Sequence, residues 1–154
     1  MKYWLMKSET AVFSIDSLAR APRKRSHWDG VRNYQVRNMI RDEMKKGDLA
    51  FFYHSSCEVP GIVGIARIVK EGYPDPTAFD PTHDHHDPKS DPANPTWYMV
   101  DVELVEKFAT PVTLDMLKAN ADKLSDLLIL RRGNRLSITP VTAAQWQKVT
   151  KLAR

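Results

Sequence analysis

The chain has 154 residues, of which 42% are hydrophobic and 27% charged, with a formal net charge of +4 and one cysteine. That length supports one domain spanning 1–154, with a core that buries about two-thirds of the unfolded surface. No apolar run approaches the roughly 20 residues of a membrane-spanning helix, and a single cysteine excludes an internal disulfide.

The modest positive charge permits contact with nucleic acid without requiring it. Met1 to Glu9 become charged too early for an export signal. With a lone thiol, Cys57, that suits a reducing compartment, a cytoplasmic location is expected, or a nuclear one in a eukaryotic cell.

Taken in order, residues 3–7 read as a short aromatic and apolar strand, and residues 14–20 as a short helix with Ser14 as N-cap. A basic run follows (Arg23, Lys24, Arg25), then His27-Trp28-Asp29-Gly30-Val31-Arg32-Asn33-Tyr34. From 33 to 44, Val36, Met39, Ile40 and Met44 fall on one helix face. Residues 49–54 form a continuous apolar strand, and residues 61–70 a second strand that pairs with it as a hairpin.

Residues 72–96 carry six prolines and three histidines, too broken for a regular element and too long for a plain connection. Residues 97–105 alternate as a half-buried strand. A short capped helix is expected at 113–118, an inward-packing helix at 124–130 and a strand at 136–139. A C-terminal helix opens on the capping-box residues Thr142 and Gln145. The sum is an α+β domain: a mixed sheet or small barrel with helices around it.

The Trp28 stretch has the chemistry of a pocket for a planar polar molecule. It offers a stacking ring, a carboxylate and an amide to read an edge, and a guanidinium for phosphate. The same residues also suit a core tryptophan at a helix start capped by Asp29 or Asn33. Catalytic signals are poor, with no phosphate loop, nucleophile elbow or paired carboxylates. The run His83-Asp84-His85-His86-Asp87 has ligand residue types, but adjacent ligands cannot converge from a rigid element and the spacing matches no standard zinc site. No catalytic residue, metal or cofactor is assigned.

Several segments together closely resemble the EVE domain family. They are residues 1–9, Trp28 to Gln35, Gly47-Asp48-Leu49 with Phe51 to Ser55, Gly61 to Gly64, and Leu130-Arg131-Arg132-Gly133. That family lies in the PUA-like superfamily and is similar to the YTH domains that bind methylated adenine in RNA; its eukaryotic members are linked to modified cytosines in DNA. The resemblance implies a small mixed β-barrel flanked by helices and a pocket for a modified base. It places Trp28 as the pocket tryptophan, Lys7 and Ser8 at the rim, and Asp29 and Asn33 as edge readers. Tyr53, His54 and Ser55 fall at an adjacent strand end, and Trp97 is a second wall. The His- and Pro-rich residues 82–94 are not a recognised family feature.

The function expected is therefore a non-enzymatic reader of a modified base in DNA or RNA. Arg23, Arg25, Arg32, Arg37, Arg131 and Arg132 are candidates for holding phosphates. The alternatives are an enzyme acting on such a base, with Asp29 or His54 as its acid or base, and a binder of a free nucleoside or other small planar ligand. Oligomeric state is not legible.

Overall fold

The computed structural model describes every residue of the chain except Ser125. The strands are β1 (Tyr3–Glu9), β2 (Arg25–Trp28), β3 (Leu49–Ser55), β4 (Gly61–Pro74), β5 (Tyr98–Thr113) and β6 (Ile138–Val141). The helices are α1 (Ile15–Arg20), α2 (Tyr34–Asn38), α3 (Leu114–Ala119) and α4 (Ala143–Leu152). The strands form one mixed sheet in the order β2-β5-β4-β3-β1-β6. β1 runs parallel to β3, and the other neighbours are antiparallel. The expected α+β class is present, but the edge strands β2 and β6 do not pair with each other, so the sheet is open rather than closed.

Strand alternation divides the interior in two. Trp4, Met6, Phe52, Val100 and Val102 pack with Ile15 and Leu18 of α1 and Val36 of α2. Leu5, Phe51, Tyr53, Ile62 and Val112 pack with Leu117 of α3 and with Trp146 and Val149 of α4. Because helices cover both faces, the central strands read as unbroken apolar runs rather than as alternation. Each large apolar side chain so buried contributes about 1.5–3 kcal/mol. Among the described residues no helix is long and apolar enough to cross a membrane.

Local chemistry explains most boundaries. Ser14 and Ser17 form a capping box on α1, and Thr142 and Gln145 another on α4. The expected helix at 33–44 is α for one turn and then widens to a π-turn at Met39–Glu43, closed by Met44 N–H donating to Met39 O at 2.9 Å. Val36, Met39, Ile40 and Met44 are all buried, as their spacing predicts. β4 and β5 run well past the expected 70 and 105, because several register shifts let the two strands bend and stay paired.

The segment 72–96 is local turn chemistry rather than open loop. Asp75 caps a short 3-10 turn, Pro76–Phe79, and Asp80, Asp87 and Asp91 each accept the backbone N–H two residues on. The expected helix at 124–130 is a turn followed by a 3-10 turn at Leu128–Leu130, with Leu124 and Leu127 buried. Ser125 of that segment lies outside the described residues.

His54 is part of this scaffold. Its Nε2 accepts the Ile15 N–H at 3.0 Å, satisfying a free donor in the first turn of α1. Burial pushes the imidazole down from its ordinary value, Asp16 pulls it up and Lys107 pushes it down. The unfolded chain then takes up this proton first, so stability is complete above about 6.5 and falls as the pH drops below it. Urea denaturation at pH 7.5 and 5.5 tests this: the wild type should lose more stability between them than His54→Gln, whose amide keeps a non-titrating acceptor.

Candidate functional site

A hollow lies where the C-terminal end of β1 meets β2 and the turn after it. It has a volume of about 490 Å³. Lys7, Ser8 and Glu9 of β1, Ser26, His27 and Trp28 of β2, and Asp29 to Arg32 form much of its wall, with His85 and Ser137 on other sides. Phe13 and Val12 supply the apolar lip.

Trp28 is both pocket wall and core. It is 7% exposed. Phe13 and Phe52 meet its ring edge-on, at centroid distances of 6.3 and 5.5 Å. These T-shaped contacts hold the indole plane fixed. The ring is buried in the core as the second sequence reading expects, though it ends β2 rather than opening a helix, and it also borders the hollow.

The turn after Trp28 hangs on Asp75, whose side chain is fully buried. Its carboxylate accepts the Gly30 N–H at 2.8 Å, the Thr77 N–H at 2.9 Å, the Thr77 hydroxyl at 2.6 Å and Arg32 Nη1 at 3.1 Å. Burial pushes Asp75 up, but the Thr77, Gly30 and Arg32 donors together hold it below the usual carboxylate range. Gly30 has φ +78°. An added Cβ there would stand 2.5 Å from His85 Cε1, so glycine is required both by conformation and by space.

Arg32 lines the hollow, but its donors face the protein. Nε and Nη2 both donate to His85 O, at 3.0 and 2.6 Å. Nη2 also reaches Thr77 Oγ1, and Nη1 reaches Val31 O and Asp75. A guanidinium has five N–H groups, and this set uses all of them. The expected phosphate contact is therefore replaced by a clamp that fixes the His-rich segment against the turn.

Of the other expected site residues, Lys7, Ser8 and Asp29 do line the hollow. Burial pushes the Lys7 ammonium down. Ser8 Oγ donates to Phe13 O at 2.5 Å. Asn33 does not line it: its Oδ1 accepts the Val36 N–H at 3.0 Å as the N-cap of α2. Tyr53 points into the core on the α4 face, where burial pushes its hydroxyl up to about 12. His54 caps α1, and Ser55 pairs with Glu9 on β1.

Trp97 is not a second wall of the cavity. Its Nε1 donates to Asp87 at 2.7 Å, its ring lies 4.9 Å from Tyr34, and Arg32 Cζ sits 5.5 Å over it. It braces Arg32 from behind. Arg25 is tied to Glu103 at 2.6 Å, and Arg37 donates to Thr96 O at 2.8 Å. Arg23, Arg131 and Arg132 are exposed.

Sequence reasoning missed three residues. Asp75 carried a readable signal, an Asp before Pro-Thr that suits a cap. His27 gave none: its Nδ1 lies 2.9 Å from Asp101 Oδ1 and 3.0 Å from the Tyr73 hydroxyl, at the rim. His85 gave none that set it apart from its neighbours; it was read with a cluster of metal-ligand types. Among the described residues no three His, Cys, Asp or Glu side chains are grouped to hold a metal.

Two outcomes follow from the clamp. Asp75→Ala strands Arg32 and the Gly30 N–H, at a cost of about 3–5 kcal/mol in chemical denaturation. Gly30→Ala costs about 1–2 kcal/mol from backbone conformation alone, and the clash should also move the His85 ring resonances in an NMR spectrum.

Comparison with known proteins gives the chain's relatives. The EVE domain family model matches residues 2–152. The chain is 43% identical to human thymocyte nuclear protein 1 over 166 aligned residues, covering 97% of this chain and 73% of the relative. A crystal structure of a Pseudomonas putida protein is 49% identical, with a TM-score of 0.93 over 99% of both chains. A crystal structure of the human THYN1 protein in complex with 5-methylcytosine-containing DNA is 42% identical, with a TM-score of 0.94 over 100% of this chain and 98% of that one.

Proposed function

The chain belongs to the EVE domain family, and from that premise we propose that it is a DNA-binding reader that takes a modified base into the Trp28 hollow. The observation that carries this reading is the hollow itself. A large ring held in a fixed plane borders a cavity of about 490 Å³ whose wall mixes apolar side chains with polar ones such as Ser8, Asp29 and His85. The human relative held with 5-methylcytosine-containing DNA, alike over the whole chain, supports DNA as the polymer.

The energetics are those of base capture. Removing a base from its stack costs a few kcal/mol. Contact with an aromatic wall returns about 1–3 kcal/mol. Asp29, exposed at the mouth, is suited to accept from an exocyclic amino group such as that of cytosine. The exposed Arg23, Arg131 and Arg132 suit phosphates and would make binding salt-dependent.

An enzyme is the weaker reading. His54, one of the two candidate acid–base groups, is occupied by the α1 backbone, and Asp29 stands at the open mouth with no nucleophile identified beside it.

Fluorescence anisotropy with matched oligonucleotides carrying 5-methylcytosine or cytosine at one position tests the proposal. The wild type should prefer the methylated strand. Asp29→Ala, a surface change, should weaken the cytosine-containing strands about tenfold, since one good edge contact is worth about 1–3 kcal/mol. Trp28→Ala should abolish the preference while leaving salt-sensitive background binding. Circular dichroism must accompany it, because a buried Trp→Ala change costs about 3–5 kcal/mol. Undiminished preference in Trp28→Ala together with undiminished affinity in Asp29→Ala would place the site elsewhere.

A further inference from the structure

His85 is held with more care than a loop residue needs. Its carbonyl oxygen takes two hydrogen bonds from Arg32, and its backbone N–H donates to His83 Nδ1 at 3.0 Å. Its ring lies over the Gly30 turn: an ideal Cβ on Gly30 would meet Cε1, Nδ1 and Nε2 at 2.5, 2.7 and 2.9 Å. The glycine therefore makes room for this imidazole, and the clamp delivers it to the pocket wall.

One ring nitrogen is sealed. Nδ1 is buried and has no hydrogen-bond partner among the described residues. A neutral imidazole carries its proton on one nitrogen and a lone pair on the other. Orphaned buried N–H groups are rarer than under-satisfied acceptors, so the proton belongs on Nε2. Nε2 is the remaining polar atom of a ring that borders the hollow, and no described residue bonds to it.

We propose that His85 is the specificity-determining donor of the pocket, its Nε2–H pairing with a ring nitrogen or carbonyl on the edge of the captured base. This rests on the base-reader proposal and narrows it. With Asp29 accepting and His85 donating, the matching edge has an exocyclic amino group beside an unprotonated ring nitrogen or carbonyl. Cytosine- and adenine-type bases have such an edge. Held in the same register, with position 4 against Asp29 and position 3 against His85, thymine- and uracil-type bases put a carbonyl against the carboxylate and a ring N–H against the imidazole N–H, and are rejected because those groups are left unpaired.

The test uses single-stranded oligonucleotides carrying 5-methylcytosine, cytosine or thymine at one position. The wild type should bind 5-methylcytosine at least tenfold more tightly than thymine. His85→Leu should reduce that ratio to threefold or less, whereas His85→Gln, which returns an amide donor, should recover part of it. A His85→Leu protein that discriminates like the wild type overturns the assignment. Equal binding of methylated and plain cytosine, with thymine still rejected, overturns the modified-base reading and leaves His85 standing. Equal binding of all three overturns both. Imidazole 15N NMR of the free protein gives a ligand-independent check: a bare Nδ1 and protonated Nε2 are expected at His85, and the opposite tautomer overturns the proposal.

Discussion

The pocket depends on one buried carboxylate. Asp75 follows β4 directly, and its oxygens gather the Gly30 N–H, the Thr77 N–H and hydroxyl, and the Arg32 guanidinium. A charge taken out of water is costly, and only a full set of donors offsets that cost. Here the donors come from the turn after β2, from the 3-10 turn Pro76–Phe79 and from Arg32. Ionised Asp75 therefore fixes three pieces of chain relative to one another. Arg32 extends the linkage to His85 through its carbonyl, and Trp97 braces Arg32 from the other side.

Much of this architecture is written locally and some is not. The α2 face, the Ser14 cap, the Thr142–Gln145 capping box and the apolar β1 and β3 runs need only spacing and side-chain type, and they were legible. The lengths of β4 and β5 were not, because their ends are held by cross-strand pairs such as Tyr73 with Met99, which polar residues and a proline disguise in sequence. The site divides the same way. Lys7, Ser8, Trp28 and Asp29 belong to contiguous motifs, and the hollow brings them together. Tyr53 and His54 follow one another along a strand, so they point to opposite faces, one to a core and one to α1, while Ser55 continues the ladder with β1. His85 reaches the site across a separation of 53 residues from Arg32, and nothing in a histidine-rich run says which ring will be delivered.

On the proposed reading, stability and recognition share Trp28. Its packing against Phe13 and Phe52 contributes to the core, and the same packing fixes the ring before any ligand arrives. A wall that is already ordered loses no side-chain freedom on binding, and that saving appears as affinity. Asn33 was open to two readings, and the fold chose the cap: the amide that could have read a ligand satisfies the first turn of α2 instead.

The disposition of charge separates two tasks that sequence alone left mixed. The cations nearest the hollow are poor phosphate holders. Arg32 has spent every donor on the protein, and burial pushes the Lys7 ammonium down. Arg25 is shared with Glu103. Exposed arginines with no such ties among the described residues, Arg23, Arg131 and Arg132, are not among the residues that line the hollow. A cavity whose guanidinium is already satisfied favours an uncharged ring over a phosphate, and it leaves the backbone to surface cations whose attraction salt can screen. On the proposed reading, base selectivity and salt sensitivity would be separable: the first would rest on Trp28, Asp29 and His85, and the second on arginines that do not line the hollow.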